Sequence, residues 1–401
     1  MKFLEKILLK NESNPDLPPT TSQPIKNFYL ISAAGMPNFG DDMLTRGWIN
    51  YLKSTYPDCH IYLDAVDPIV ANSLFDGVTC VNYLWQLAQA LGGEGSVTEK
   101  FSNPNLLPKR ERLMTAIFNT ADSIHLLGGG YINELWAANL KLIELVAYFS
   151  EKHGFPAYAT GLGLQPLSEQ NAIKISPFID KYAFFDVRDV TSFTLINNIL
   201  PGKVSYIGDD YFCFPFADVA RLVDNESPTL RLCLHNELAA HEDEEKRFLT
   251  SVEKAINMFL AKNPESAIKF YEFRPGSDGA ILNLLKVNFP QIEMVFFETI
   301  WEQGLSFSDK DYFVSTRFHF QLIVSSLGLR GISFYWSDYY KNKFESLQNV
   351  SQWNALQVIE EELEPGLFLT ERNVSFAPEF YTVLNKKQAL PEKLYGRFNP
   401  S

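Results

Sequence analysis

From Lys26 onward the chain alternates short, continuous apolar runs with polar loops and with stretches in which apolar residues recur at helical spacing. The first unit reads as the strand NFYLISAAG, the loop MPNFGDD and a helix from about Met43, on which Leu44, Trp48 and Leu52 share a face. CHIYLDA, SIHLLGG, PAYATG, YAFFDVRD and VSYIGDD follow as strands, with helices between them, including a long one from Asn133 to Lys152. Strands that are apolar throughout, rather than alternating, predict a parallel sheet covered on both faces. Each strand–helix–strand crossover then favours the right-handed doubly wound topology.

The pattern breaks between Asp210 and Thr229, where the Phe-rich FCFPFADVARLVDNESP ends in a polar turn before the strand TLRLCLHN. Alternation then resumes through IKFYEF, EMVFF, DYFVSTR and GISFYW, with helices starting near Asp243, Asp278, Phe318 and Asp338. The expected organisation is an arm and linker over 1–24, one doubly wound α/β domain over 25–228, and a second over 229–401 that includes a mixed tail. The tail's acidic patch, Glu360 to Glu364, reads as solvated surface. A length of 401 residues suits two cores of roughly 200 residues each.

Composition narrows the function classes. A net charge of -13, with 48 acids against 35 bases, excludes a general nucleic-acid binder. An anionic ligand would need arginines gathered in a cleft against that global field. Cys59, Cys80, Cys213 and Cys233 lack any CxxC spacing, which predicts reduced, buried thiols and neither a zinc site nor a disulfide framework. The N-terminus MKFLEKILLKNESNPDLPP has neither the length of a membrane span nor a cleavage pattern, so a cytoplasmic location is expected. That segment reads as a frayed arm, or as a short amphipathic helix touching a membrane or partner.

In parallel sheets, ligands gather beyond the carboxyl ends of strands, where helix N-termini present free N–H groups. Asn38, Gly40, Asp41 and Asp42 occupy the first such loop; one aspartate suits helix capping, and the other is free to bind hydroxyls or act as a base. Gly128 to Gly130 end the strand SIHLL, either as a tight turn or as a place where backbone approaches a phosphate or sugar. Neither GxGxxG nor GxxxxGK[ST] occurs, which weakens dinucleotide and P-loop readings. Arg188 and Asp189 suit an ion pair and helix cap. Arg317 and His319 lie where a strand meets a helix, pairing a bidentate anion ligand with a proton carrier, although a lone histidine is often structural.

Taken in order, Asn38-x-Gly40-Asp41-Asp42, the Gly128 to Gly130 run, Gly161-Leu162-Gly163-Leu164-Gln165-Pro166, Arg188-Asp189, Gly208-Asp209-Asp210 and Ser315-x-Arg317-x-His319 resemble the polysaccharide pyruvyltransferases over roughly residues 28 to 345. The resemblance implies two Rossmann-like domains facing across a cleft, as in the GT-B glycosyltransferase fold. It also implies transfer of pyruvate from phosphoenolpyruvate to a glycan or lipid-linked saccharide, forming a pyruvate ketal in cell-surface glycan synthesis. On this reading His319 is the acid or acid/base, Arg317 clamps the donor, and Asp41 serves the acceptor hydroxyl, with Asp42 as the other candidate base. Arg274, Ser315 and Lys341 join Arg317 at the donor, with Lys343 as the alternative lysine. Asn38, Gly40, Asp42, Gly129, Gly130 and Arg188 face the acceptor. The chain departs from the family at Asp42, where Glu is usual, and at Phe320, where a small residue is usual.

Ketal formation requires an acid, a base and an anion clamp, and no step demands a metal or a cofactor beyond the donor. The rival readings are a nucleotide-sugar-dependent glycosyltransferase on the same scaffold and a non-catalytic glycan-binding protein. Peripheral membrane contact would come through a lipid-linked acceptor.

Overall fold

The computed structural model describes residues 26–92, 96–101, 108–237, 242–349, 354–357, 376 and 380–396; the arm over 1–24 and the patch Glu360 to Glu364 lie outside them. The first sheet contains β1 (Asn27–Ile31), β2 (His60–Asp64), β3 (Thr79–Val81), β4 (Ser123–Leu126), β5 (Ala157–Leu162), β6 (Phe184–Val187) and β7 (Ser205–Tyr206). Their spatial order is β3-β2-β1-β4-β5-β6-β7, and every pairing is parallel. Tyr29, Leu30 and Ile31 in the centre are fully buried, as a strand flanked on both sides and covered on both faces requires.

After β8 (Ala220–Leu222) come β9 (Leu230–Cys233), β10 (Ile268–Tyr271), β11 (Glu293–Val295), β12 (Leu305–Phe307), β13 (Tyr312–Ser315), β14 (Ile332–Tyr335) and β15 (Asn354–Gln357). The second sheet runs β11-β10-β9-β13-β14-β15, again parallel, and β8 pairs with β12 in a small separate ladder. The fold is thus two Rossmann-like α/β units whose strand ends face across a cleft. We propose that the unit boundary lies within 211–228, after the last strand of the first sheet and before the first strand of the second.

Aromatic packing joins the two units. Phe39 opens the first helix (Phe39–Thr55) and packs 4.7 Å from Phe273 at the end of β10, while its backbone N–H donates to the Phe273 carbonyl at 2.8 Å. Tyr211 and Phe212, from the Phe-rich connection, enter the same cluster as Phe297 and Phe320. Phe320, a departure from the family pattern, is fully buried against Phe273 and Tyr271, so its bulk serves this shared core. Each such ring buries on the order of 150–250 Å².

Three sequence expectations change. The helix expected over Asn133 to Lys152 divides into a 3₁₀ segment (Glu134–Leu140), broken at Trp136 (φ −126°, ψ 67°), and an α-helix (Lys141–His153). The C-terminal helices Phe380–Gln388 and Leu390–Tyr395, assigned from sequence to the second unit, return to the first: Lys387 is fully buried with Asp186 and Asp210, and the Tyr395 hydroxyl lies 2.9 Å from His125. A buried lysine needs such carboxylates, and they hold its pKa above the ordinary value against the opposing effect of burial. Of the four free cysteines, Cys213 and Cys233 are buried, whereas Cys59 and Cys80 are only partly so.

Candidate active site

Between the carboxyl edges of the two sheets lies a cavity of about 1040 Å³, lined from both units. Asn38, Asp41, Gly130, Arg188, Arg274, Arg317 and His319 all line it, so seven of the residues singled out in the sequence converge from strand ends far apart in the chain.

The Arg317 segment is shaped by its own hydroxyls. Ser315 Oγ donates to the Cys233 carbonyl at 2.8 Å and accepts from the Arg317 N–H at 3.0 Å, and Thr316 Oγ1 accepts from the His235 N–H at 2.7 Å. These bonds turn the chain out of β13, leaving Arg317 at the N-cap of the helix Phe318–Ser326, every residue of which is buried. Ser315 is therefore a positioning residue that does not reach the cavity. The Arg317 guanidinium pairs with the buried Asp278 and lies 3.4 Å from Glu237, which also pairs with Arg274 at 2.8 Å. Burial works against its charge, but Asp278 and Glu237 outweigh it and hold the pKa above the ordinary arginine value.

His319 sits at the meeting point of the two units. Its Nε2 is 3.6 Å from Asp209 Oδ2, an oxygen that also accepts from Arg188 Nη1 at 3.1 Å. Burial would raise the Asp209 pKa, but His319 and Arg188 hold it well below the usual carboxylate range. Asp209 thus faces the Nε2 edge of the imidazole, and Nδ1 lies on the opposite edge of the ring. Nδ1 lies against Gly40, where any Cβ would overlap the ring. Gly40→Ala is expected to cost about 1–3 kcal/mol by overpacking and to lower activity through displacement of His319, read by thermal melting and steady-state rates. Gly130 has a comparable reason: a Cβ there would meet Arg188 Nη2 at 2.7 Å. Arg188 also lies over the Phe318 ring, 4.5 Å from its centroid.

The two aspartates of the first loop divide their roles. Asp41 lines the cavity and accepts from Asn38 Nδ2 at 2.7 Å. Asp42 is fully buried and reaches back to the Asn38 N–H at 3.0 Å, a structural cap rather than a cavity group. Burial pushes its pKa up to about 7. Folded Asp42 thus holds its proton more tightly than the unfolded chain. Its contribution to stability is full below pH about 4 and is lost as pH rises through about 7. Thermal melting across that window should show wild type losing ground with rising pH and Asp42→Asn losing less; parallel profiles would refute the assignment.

Gly129 does not line the cavity: its carbonyl accepts from the Gly163 N–H at 2.9 Å, extending the pairing with β5. Of the two lysines, Lys343 lines the cavity over the Tyr339 ring at 4.2 Å, whereas Lys341 is half-buried outside the cavity lining and 3.8 Å from Glu345. Sequence reasoning did not assign roles to Asp209, His235, Glu237 or Asp278. His235 and Glu237 follow β9 and Asp209 follows β7, so the rule that ligands gather past strand ends could have flagged all three. His235 is buried, its Nε2 2.9 Å from the Thr316 carbonyl and its Nδ1 accepting from the Glu237 N–H at 3.2 Å; burial first, then Arg317, pushes its pKa well down.

Among the described residues, no group of three or more His, Cys, Asp or Glu side chains could hold a metal ion, and no helix is long and apolar enough to cross a membrane.

The model of the family described as "Polysaccharide pyruvyl transferase" matches residues 38–338, well over half of the chain, and the chain belongs to that family. No curated protein sequence matches it. In fold it is similar to the UDP-GlcNAc 2-epimerase of Methanocaldococcus jannaschii, at 12% identity and a TM-score of 0.56, covering 93% of this chain and 100% of that one. A putative UDP-N-acetylglucosamine 2-epimerase of Listeria monocytogenes gives 6% identity and a TM-score of 0.55 over 93% and 98% of the two chains. At such identities the likeness establishes the two-domain GT-B-type fold alone.

Proposed function

Starting from that family membership, we propose that the protein transfers pyruvate from phosphoenolpyruvate to a pair of hydroxyls on a glycan or lipid-linked saccharide, forming a pyruvate ketal. The observation that carries this reading is His319, held by the Asp209 carboxylate and facing a cavity where Arg188, Arg274, Arg317 and Lys343 gather in a chain of net charge -13. Cations gathered against the global field suit a small, multiply charged anion.

The reaction needs a proton on the donor's methylene carbon, which leaves cationic character on the neighbouring carbon. A sugar hydroxyl adds there and loses its proton; phosphate departs, and the second hydroxyl adds and loses its own. Of the two protons released, one replaces that delivered to the methylene and the other leaves with phosphate. His319 Nδ1 delivers the first proton while Asp209 stabilises the imidazolium. Arg317 and Arg274 bind the donor's carboxylate and phosphate in exchange for Glu237, with Lys343 beside them. Asp41, oriented by Asn38, takes the acceptor proton. Once the donor has replaced Glu237, the arginines are already aimed at its charge, so little reorganisation accompanies the chemical step.

A nucleotide-sugar enzyme on this fold is the competing reading, and isothermal titration separates the two. Phosphoenolpyruvate should bind, and UDP-GlcNAc should not. Binding of the nucleotide sugar with no response to phosphoenolpyruvate would reject the proposal.

A further inference from the structure

The cavity is divided chemically as well as by unit. Its charged side chains are Asp41, Arg188, Glu237, Arg274, Arg317 and Lys343, with His319 among them. The helix that follows β3 (Tyr83–Leu91), its N-cap and the 3₁₀ segment form a wall that carries Asn82, Trp85, Gln86, Gln89, Trp136 and Asn139, none of them ionisable. At about 1040 Å³ the cavity lies at the upper end of the roughly 300–1,000 Å³ of small-ligand sites. A three-carbon phosphate fills a minor part of it.

The carboxamides on this wall are held in pairs. Gln86 Nε2 donates to Asn82 Oδ1 at 2.7 Å, Gln89 Nε2 donates to Asn139 Oδ1 at 3.2 Å, and Asn139 Nδ2 donates to the Tyr131 carbonyl at 2.8 Å. Each carboxamide has four hydrogen-bonding positions, more than these contacts use, so oriented donors and acceptors remain for a ligand. The two indoles differ. Trp85 is buried, and its N–H is shared between the Ser32 and Asp64 carbonyls at 3.0 and 3.2 Å, which makes it a fixed wall. Trp136 is 44% exposed, lines the cavity, and sits at the point where the backbone leaves helical geometry.

An exposed indole beside oriented carboxamides matches a pyranose, whose C–H face is apolar and whose rim is hydroxylated. None of these six side chains carries a positive charge, so a uronate carboxylate seated against them would lose solvent without gaining an ionic partner from them. The geometry points to a subsite in which Trp136 stacks on an uncharged pyranose of the acceptor, with the Asn82–Gln86 and Gln89–Asn139 pairs reading its hydroxyl or acetamido groups. This deepens the proposed function by naming the acceptor as a neutral sugar, and it rests on that reading for the identity of the donor.

Saturation-transfer NMR on the full chain tests it, using methyl β-galactopyranoside, methyl N-acetyl-β-glucosaminide and methyl β-glucuronide as probes. At least one neutral glycoside should receive saturation, strongest on one face of the ring, and the glucuronide should receive less. Trp136→Ala should weaken that binding about tenfold and Trp136→Phe less, while phosphoenolpyruvate titrations of both variants stay at the wild-type value. Preference for the glucuronide, absence of any glycoside signal, or wild-type glycoside binding by Trp136→Ala would overturn the subsite. The two readings fail separately. A wild-type protein that binds UDP-GlcNAc instead of phosphoenolpyruvate, yet loses glycoside binding in Trp136→Ala, keeps the sugar subsite and loses the pyruvyl donor.

Discussion

His319→Gln should lower turnover about a hundredfold or more while leaving phosphoenolpyruvate binding nearly unchanged. Glutamine can still occupy the space between Asp209 and Gly40, but it cannot carry a proton at the position of Nδ1. The effect therefore falls on kcat rather than on donor affinity. Asp209→Asn should act in the same direction, because an amide facing Nε2 no longer selects the tautomer or stabilises the imidazolium. Steady-state rates combined with donor titrations read both variants. Normal turnover by His319→Gln would make His319 a structural histidine and remove the proton path.

Much of this arrangement was legible in the sequence because it depends on position. Continuous apolar strands, each followed by a polar loop and an amphipathic helix, are enough to place Asn38, Arg188 and Arg317 at carboxyl edges of parallel strands, and the helix starts at Asp278, Phe318 and Asp338 fall where they were expected. What pairs with what was not legible. Glu237 and Asp278 lie 80 and 39 residues from Arg317, and only the packing of β9, β10 and β13 brings them together. Gly40 looks like a backbone approach point for ligand, but its lack of a side chain makes room for an imidazole from the other unit. Asp42 and Asp41 are adjacent and chemically identical, and burial alone separates a cap from a cavity group. The return of Lys387 to Asp186 and Asp210 likewise has no local signature, since its helix reads simply as part of a mixed tail.

Arg317→Ala should have two separable consequences, because the guanidinium holds a buried carboxylate as well as facing the cavity. Losing the anion clamp should weaken phosphoenolpyruvate binding by roughly 2–5 kcal/mol. Leaving Asp278, which is fully buried, without its partner should also destabilise the fold by about 3–5 kcal/mol. Lys should recover part of the donor affinity, since it restores the charge but not the two-pronged geometry. Combining Arg317→Met with Asp278→Asn removes the uncompensated charge, so the double variant should melt closer to wild type and still fail to bind donor. Wild-type donor affinity in that double variant would show that Arg317 serves stability alone.

On the function we propose, His319 and the surrounding cations convert phosphoenolpyruvate and a neutral sugar diol into a ketal and phosphate. The most direct measurement incubates the protein with phosphoenolpyruvate and a panel of neutral acceptor glycosides, following phosphate release and the mass of each glycoside together. The expected result is phosphate released in proportion to a glycoside that gains a pyruvate ketal, with both signals lost in His319→Gln. Phosphate release without any ketal, equal ketal formation by His319→Gln, or consumption of UDP-GlcNAc in place of phosphoenolpyruvate would contradict it.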